Sequence, residues 1–355
     1  LHFREVFAII FYHRLMKHIF TSNFLKIIAS IAILLGFLFI YLSFVSVAVP
    51  RAAEPLTNEG QLRVRIIPGS NVSSVAKQLI AQGIHTTHWE VQVVARGLFL
   101  GKRLKSGVYD FSPGATLASI LLKMARGDSV KLSVTLVEGW TFKQFKAVVD
   151  AQIDLKKDVR TWSANQILVK IQAKESHPEG LFFPDTYIYE PGDSDLTIYQ
   201  RAYMAMRKNL NNAWEMRSSD SPIKTPYELL KLASIVEKET GYPGDRGLVA
   251  AVFTNRLKLG MKLQTDPTII YGLGDGFDGN IRKKDLIKDG PYNTYTRYGL
   301  PPTPIAMPGK DALLAAAKPA NSKVLYFVAR GDGRSVFSET LVAHNQAVQQ
   351  YQIRK

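Results

Sequence analysis

The sequence has no cysteine among its 355 residues. A disulfide framework, a cysteine-ligated metal site and a thiol nucleophile are therefore excluded. Proline is not enriched, at 17 residues, and hydrophobic residues make up 46% of the chain. This composition can bury a core and excludes extensive disorder. A length above the roughly 100 to 200 residues of one domain predicts at least two compact units.

Charge is missing altogether from Ile27 to Val49, a run of 23 residues. About 20 apolar residues cross the hydrocarbon core of a membrane, and helices of soluble proteins seldom reach that length without a charge. Four basic residues and one acid precede the run, whereas Glu54 and Glu59 follow it. The positive-inside rule therefore predicts a cytoplasmic tail at 1–26, a transmembrane helix at 27–49 and an extracytoplasmic remainder. The run exceeds the apolar region of a signal peptide, about 7 to 15 residues, which favours an uncleaved single-pass anchor.

The first residue of the sequence is Leu1 rather than methionine. Met16, followed by Lys17 and Lys26, would begin an ordinary short cytoplasmic tail. The start therefore stays open between Leu1 and Met16, and residues 1–15 carry no inference.

Acidic residues are in the minority, with 30 Asp and Glu against 45 Lys and Arg. Beyond residue 50 the balance is 41 basic to 29 acidic residues, a net charge of +12. Such an excess favours a polyanionic partner, which can be nucleic acid, anionic lipid headgroups or an acidic wall polymer. Nucleic acid is the least available of these outside the cytoplasm, and no dense Lys/Arg run or aromatic RNA-binding signature occurs. No nucleic-acid partner is therefore expected.

Past a polar linker at 50–61, the chain shows two similar stretches of strand, turn and helix. Residues 62–84 combine a strand, a Pro-Gly turn and a serine-capped amphipathic helix, and residues 106–128 repeat the pattern with Thr116 before the helix. Neither stretch can bury much surface alone, so 62–130 is predicted to be one small α+β module. A structural adaptor and a ligand-binding module both stay open for it.

The region from residue 131 onward is predicted to form a larger domain. A strand within 131–142 leads into a helix near Lys143, and the stretch 179–194 is aromatic and contains two prolines. Asp185 lies between proline and threonine, and capping a helix is favoured for it over facing a cleft.

The strongest helix signal starts at Thr225, which is followed by proline and, three residues later, by glutamate. This pattern predicts an N-cap with a capping box, and the apolar period continues to a glycine stop at Gly241. Near the end of the helix, Glu237 and Glu239 lie two residues apart and so roughly 160° from each other around the axis. They cannot both point into one cleft, and the helical wheel does not choose between them.

Loops downstream of this helix are rich in Pro and Gly and carry hydroxyl, amide and aromatic side chains, the mixture that binds a sugar chain. The residues of this kind are Gln264, Thr265, Asp266, Tyr292, Asn293 and Tyr295. Their occurrence near one helical acid predicts a carbohydrate cleft, although Asp266 alone is explained nearly as well as a turn residue before proline. A G-x-G-x-x-G at 274–279 is followed by NIRKKD, without a clear apolar helix onset that could bind a phosphate, and His85 and His88 lack a third metal ligand. We therefore expect no cofactor and no metal.

Six blocks of sequence follow the apolar run in order: LVEGWTF (136–142), EGLFFPDTY (179–187), LASIVEKETG (232–241), VFTNRLKLGMKLQTDPTIIYG (252–272), YNTYTRYGLPPTPI (292–305) and LYFVARGDGRSVFS (325–338). Together with the single N-terminal anchor, they resemble the YceG-like (MltG) family of endolytic murein transglycosylases over nearly everything after residue 27. The resemblance implies a LysM-like module at 62–130 and a catalytic transglycosylase domain at 131–355. The expected fold class is α+β: a transmembrane helix, a small α+β module and a mixed α/β catalytic domain.

The family cleaves peptidoglycan strands internally, between N-acetylmuramic acid (MurNAc) and N-acetylglucosamine (GlcNAc), without water. The resemblance implies a lytic transglycosylase at the bacterial cytoplasmic (inner) membrane that leaves 1,6-anhydro-MurNAc ends and terminates strand elongation. The family's catalytic glutamate corresponds to Glu239, with Glu237 the second choice. The residues then expected to line the sugar cleft are Gln264, Thr265, Asp266, Tyr292, Asn293, Thr294 and Tyr295.

Such a reaction needs one carboxyl group, whereas a hydrolase needs a second one about 5 to 10 Å away. To hold a proton near neutral pH, Glu239 would have to lie in a partly desolvated pocket that raises its pKa. Two other functions stay open: a hydrolytic muramidase, and a non-catalytic membrane-tethered scaffold that binds peptidoglycan through 62–130. Because an anchor would hold the cleft near newly made strands, peptidoglycan synthases are a further expected partner besides the glycan strands.

Overall fold

The computed structural model describes residues 23–45, 48–49 and 60–353. The predicted tail as far as residue 22 and residues 50–59 of the predicted linker lie outside the described residues. The chain divides into two compact units, Leu1–Lys131 and Leu132–Lys355. Helices and two-stranded antiparallel sheets occur in both, so the described chain is a mixed α and β protein.

Among its described residues, the first unit contains one helix that is long and apolar enough to cross a membrane, α1 (Asn23–Phe44), with a mean hydropathy of 2.6. The predicted span runs on to residue 49, but Ala48 and Val49 are buried in the core of this unit. The N–H of Ala48 donates to the carbonyl of Ala115 at 2.8 Å. Hydropathy does not separate these two residues from the span, because an apolar pair suits a protein core as well as a bilayer.

The described remainder of the first unit consists, in chain order, of β1 (Leu62–Ile66), α2 (Val72–Ala81), α3 (His88–Gly97), β2 (Gly107–Phe111) and α4 (Leu117–Arg126). Strands β1 and β2 pair antiparallel, with Leu62 opposite Phe111. Both predicted strand, turn and helix stretches are present, and Thr116 caps α4 as predicted. The serine cap predicted for α2 is wrong: Asn71 is the N-cap, and its side chain accepts the N–H of Ser74.

Helix α3 lies between the two stretches and is missing from the sequence-based prediction. Its N-cap Thr87 and its third residue Glu90 form a complete capping box. The helix buries Val91 and Val94 and packs against both α2 and α4. A Thr-x-x-Glu pattern was therefore available as a signal for this helix.

The second unit contains, in chain order, β3 (Leu132–Thr135), α5 (Phe142–Ala151), α6 (Ala164–Lys170), β4 (Thr186–Tyr189), α7 (Asp195–Glu215), α8 (Pro226–Glu239), α9 (Arg246–Lys258), α10 (Asp266–Leu273), α11 (Lys283–Ile287), α12 (Lys310–Ala317), β5 (Tyr326–Ala329), β6 (Ser335–Ser338) and α13 (Leu341–Val348). Strands β3 and β4 pair antiparallel, and β5 and β6 form an antiparallel hairpin. Asp185 precedes β4 and not a helix, so the predicted helix cap is wrong. Its carboxylate accepts the N–H of Thr186 at 2.7 Å.

Helix α8 is the central helix of the second unit and packs against α7, α9 and α12. Seven consecutive or nearly consecutive residues of it, from Leu229 to Val236 with the exception of Lys231, are buried. A helix that is buried on nearly all sides belongs to the middle of a core. The residues at its end are therefore held on a rigid support.

Candidate active site

The start of α8 follows from local residues. Thr225 is the N-cap, and its hydroxyl accepts the N–H of Glu228 at 3.1 Å. The Glu228 carboxylate accepts the N–H of Lys224 at 2.6 Å. Only one of the two hydrogen bonds of the predicted capping box is therefore present, because the Glu228 carboxylate accepts the N–H of Lys224 and not that of the N-cap Thr225.

The end of α8 lies earlier than the apolar pattern indicates. The pattern predicts a helix up to Gly241, but the last helical residue is Glu239. The next residue, Thr240, is extended, and its hydroxyl donates to the carbonyl of Val236 at 2.7 Å. Glu239 therefore stands at the tip of a buried helix.

The two glutamates near this tip have different surroundings, as the helical wheel predicts. Glu237 accepts the N–H of Gly309, the residue before α12, at 3.0 Å. Glu239 accepts a hydrogen bond on Oε1 from the hydroxyl of Thr265, which is itself buried. Glu237 thus caps a neighbouring helix, whereas Glu239 meets the loop that carries the predicted sugar-binding residues.

Glu239 lines a cavity of about 550 Å³ in the second unit. Three other predicted site residues line the same cavity: Gln264, Asp266 and Tyr295. Its remaining walls come from α9, from β5 and from the C-terminal helix α13. Glu237 does not line this cavity, so the structure distinguishes the two acids where the sequence could not.

The carboxyl group of Glu239 has a raised pKa. Burial is the main cause, the hydrogen bond from Thr265 opposes the rise, and the negative charge of Asp266 adds to it. A raised pKa lets a carboxyl group keep its proton closer to neutral pH. The Thr265 hydroxyl occupies Oε1, and within the described part of the chain Oε2 has no hydrogen-bond partner. Oε2 is therefore the oxygen available for proton transfer.

The loop before α10 is held by the segment 293–295. The N–H of Gln264 donates to the carbonyl of Thr294 at 3.1 Å, and the N–H of Thr265 donates to the hydroxyl of Thr294 at 3.0 Å. Thr268 also bonds the Thr294 hydroxyl, at 2.9 Å. Gln264 has a φ of 47°, in the left-handed region that non-glycine residues rarely adopt. Such a conformation persists only where neighbours enforce it, which is common at functional sites.

A second carboxylate and a phenol form a pair on the cavity wall. The hydroxyl of Tyr295 donates to Oδ1 of Asp266 at 2.6 Å. Burial is the first cause that raises the pKa of Tyr295, and its bond to Asp266 is the second. The phenol therefore stays protonated and holds the Asp266 carboxylate in place.

Four of the predicted cleft residues do not line the cavity: Thr265, which bonds Glu239, and Tyr292, Asn293 and Thr294. The Asn293 amide is buried, and its nitrogen donates to the carbonyls of residues 285, 286 and 288. The hydroxyl of Tyr292 bonds Thr303 at 2.8 Å, and its ring packs edge-on against Tyr271. Both side chains hold loops together, and Thr294 supports the Gln264 turn from behind.

Among the cavity residues that were not predicted from the sequence, three are titratable: Arg256 on α9, Tyr326 on β5 and His344 on α13. Arg256 and Tyr326 lie in two of the sequence blocks quoted above, but an arginine in a helix is usually exposed, and nothing in the blocks indicates that either residue faces the cleft. These residues reach the cavity only because segments that are distant in the sequence pack together in the fold, and a local sequence pattern does not predict such packing.

A carboxyl group with a raised pKa, fixed by a hydroxyl and open to a polar cavity, is the arrangement of a general acid in a glycan-cleaving enzyme. Comparison with known proteins agrees with this class. The model of the YceG-like family matches residues 64–350, and the chain belongs to that family.

Curated relatives and a solved structure give the same result. The chain is 32% identical over 321 residues to an endolytic murein transglycosylase of Bacillus subtilis, covering 84% of this chain and 87% of that protein. A second relative of that name, from Streptococcus pneumoniae serotype 2, is 30% identical over 332 residues, which are 81% of this chain and 58% of the relative. A crystal structure of a yceG-like protein from Listeria monocytogenes is 31% identical, with a TM-score of 0.53. The match covers 81% of this chain and 98% of that one.

Proposed function

We propose that this protein is an endolytic lytic transglycosylase that cleaves the β-1,4 bond between MurNAc and GlcNAc inside peptidoglycan strands. One observation carries the proposal: a single carboxyl group with a raised pKa, Glu239, is oriented by a hydroxyl at the edge of a cavity of about 550 Å³. The names of the relatives support the substrate and the reaction class.

The reaction follows from one carboxyl group that acts twice. Protonated Glu239 donates its proton from Oε2 to the glycosidic oxygen, so the bond to C1 of MurNAc breaks and GlcNAc leaves with a 4-hydroxyl. The C6 hydroxyl of the same MurNAc attacks C1, and the Glu239 carboxylate takes the hydroxyl proton. The products are a 1,6-anhydro-MurNAc end and a regenerated acid, and no water is consumed.

The other cavity residues have supporting roles in this proposal. Gln264 and Tyr295 offer amide and phenol groups to the sugar hydroxyls. The Asp266 carboxylate lies near enough for its charge to raise the pKa of Glu239, and the same charge favours the positive character that develops at C1. Thr265 fixes the rotamer of the acid, while Thr294, Asn293 and Tyr292 keep the loops in register.

The placement of the protein in the cell is part of the proposal. Helix α1 serves as an uncleaved anchor in the bacterial cytoplasmic membrane, with 51–355 on the outer side. Residues 62–130 act as a LysM-like module, and 131–355 act as the catalytic domain. The anchor keeps the cleft close to new strands, where cleavage terminates elongation and where peptidoglycan synthases are the natural partners.

The experiment that tests the reaction is mass spectrometry of the products from soluble peptidoglycan strands. We expect fragments whose new ends are 1,6-anhydro-MurNAc, which is one water lighter than a reducing MurNAc end. Fragments with reducing MurNAc ends would show that the protein hydrolyses the bond as a muramidase and is not a transglycosylase. Retained binding with an unchanged length distribution of the strands would favour the non-catalytic scaffold.

A second prediction concerns the hydroxyl that orients the acid. Thr265→Val keeps the shape of the side chain and removes its bond to Glu239, so we expect kcat to fall by about tenfold. That hydrogen bond lowers the pKa of Glu239, so its loss should shift the alkaline limb of the pH–rate profile to higher pH. Thr265→Ser keeps the hydroxyl and serves as the control. Equal rates and equal pH profiles for the Val variant and the wild type would contradict this role.

A further inference from the structure

The cavity beside Glu239 contains a buried cation that the proposed reaction does not use. Arg256 lies in α9 with only 7% of its surface exposed, and it lines the same cavity as Glu239. A charged side chain is almost never so deeply buried unless a partner compensates for its lost hydration. The partners of this guanidinium therefore indicate its purpose.

Part of the guanidinium is bound by the protein itself. Nε donates to the carbonyl of Leu325 at 2.7 Å, and Nη1 donates to the carbonyl of Leu263 at 2.8 Å. The guanidinium lies 5.2 Å from the centre of the Tyr326 ring, which in turn stacks on the ring of His344 at 5.3 Å. With the carbonyl of Lys262, which accepts from Nη1 at 3.4 Å, three carbonyls and an aromatic face thus fix the orientation of Arg256 before any ligand arrives.

The remaining nitrogen, Nη2, has no partner within the described part of the chain, and no carboxylate there forms an ion pair with Arg256. Neutral carbonyls satisfy hydrogen bonds but do not neutralise the charge. His344 carries no negative charge that could neutralise Arg256. Burial lowers the pKa of His344, so the imidazole is neutral near pH 7. The guanidinium therefore offers a fixed donor, and a positive charge that no carboxylate of the described residues pairs directly, to whatever enters the cavity.

We propose that Arg256 binds a carboxylate of the peptide stem carried by the MurNAc of the substrate, and that the enzyme prefers strands whose stems have free carboxylates. This inference rests on the proposed function. The sugar rings of a MurNAc–GlcNAc strand are uncharged, and the lactyl group of MurNAc carries the peptide. The stem carboxylates are therefore the anions attached closest to the bond that is cleaved. A guanidinium with one free edge matches a carboxylate oxygen.

The test compares two preparations of the same soluble strands as substrates for the wild-type protein. One has free stem carboxylates, and the other has these groups converted to methylamides. We expect a KM about tenfold higher for the methylamide strands and a kcat that changes little, because charge-assisted hydrogen bonds contribute about this much to binding. Equal kcat/KM values for the two strands would overturn the inference and leave the transglycosylase function intact.

Variants separate the charge of Arg256 from the charge of the protein as a whole. Arg256→Gln should cleave both strands with the KM that the wild type shows for the methylamide form. The matched control is Arg207→Gln on α7, whose guanidinium also lies over a tyrosine ring but outside the cavity. It should keep the wild-type preference. Where Arg256→Gln fails to fold, the wild-type comparison still refutes the inference if the two strands react equally well.

Binding measurements distinguish a failure of this inference from a failure of the proposed function. If neither strand is cleaved, the transglycosylase proposal fails. Calorimetric titration of the wild type and of Arg256→Gln with both strands then decides the role of Arg256: a tenfold tighter binding of the carboxylate form that the variant loses supports it, and equal affinity in the wild type refutes it.

Discussion

Replacing Glu239 with glutamine is expected to reduce kcat by roughly a thousandfold and to leave the fold intact. The amide has nearly the shape of the acid, and its oxygen can still accept the hydrogen bond from the Thr265 hydroxyl. The amide cannot, however, protonate the glycosidic oxygen. The measurement is the rate at which anhydro-ended fragments appear from soluble strands, with circular dichroism and thermal unfolding as checks of the fold.

Glu237→Gln is the matched control for this experiment. The amide oxygen of glutamine can still accept the N–H of Gly309, so activity should stay within a few fold of the wild type. Loss of activity in Glu237→Gln together with an active Glu239→Gln would reverse the two roles and move the active site away from the cavity described above.

The wild-type pH profile carries the same information. The acid must be protonated to act, and burial raises the pKa of Glu239 above its ordinary value of 4.5. Activity should therefore persist above pH 4.5 and decline as the pH rises through the raised pKa. An alkaline limb centred at or below pH 4.5 would contradict a desolvated general acid.

A second large effect is expected from Glu179, a buried carboxyl group that does not line the cavity. It is 3% exposed and accepts hydrogen bonds from the N–H of Phe142 at 2.9 Å and the hydroxyl of Tyr271 at 3.1 Å. Burial raises its pKa to about 7, although these two bonds oppose the rise. The folded protein therefore holds the proton of Glu179 more tightly than the unfolded chain does.

The sign of the effect follows from linkage. A carboxyl group with a folded pKa of about 7 and an unfolded value of 4.5 contributes fully to stability below pH 4.5. That contribution is lost as the pH rises through 7, because the buried group must then ionise. The loss from this residue between pH 4 and pH 8 amounts to roughly 3 kcal/mol in the free energy of unfolding.

Glu179→Gln removes this titration. Urea unfolding at pH 4 and pH 8 should show that the free energy of unfolding of the variant declines by roughly 3 kcal/mol less than that of the wild type. Glu215→Gln, at the exposed end of α7, is the control and should follow the wild type. If the free energy of unfolding has the same pH dependence in the wild type and in Glu179→Gln, Glu179 has the same pKa in the folded and the unfolded protein, and the prediction is wrong.

Local signals in the sequence were sufficient for much of the scaffold. The threonine and proline that start α8 and the threonine that caps α4 act within a few residues, and the structure has both helices at these positions. The apolar residues of α8 spaced three and four apart, Leu229, Leu232, Ala233 and Val236, are buried as one face of a helix should be, whereas the burial of Leu230, Ser234 and Ile235 lies outside that period. Such features depend on the segment alone.

The arrangement of the site depended on long-range packing. The helical wheel separates Glu237 from Glu239 but does not show which of them faces the cleft, because that depends on Gly309 meeting one and Thr265 meeting the other. Asn293 carries the right chemistry for a sugar, yet its amide is used by three backbone carbonyls. Arg256 gave no signal, since its burial results from the approach of β5 and of the loop before α10.

The position of Glu239 as the last residue of α8 also has an electrostatic consequence. The aligned peptide dipoles of a helix give its C-terminus a partial negative charge and its N-terminus a partial positive one. Burial raises the pKa of Glu237, and its position at the positive end of α12 opposes that rise, whereas Glu239 stands at the negative end of a helix of 14 residues. The backbone of α8 thus disfavours the carboxylate and favours the proton on Glu239, so the helix that supports the acid also primes it to donate.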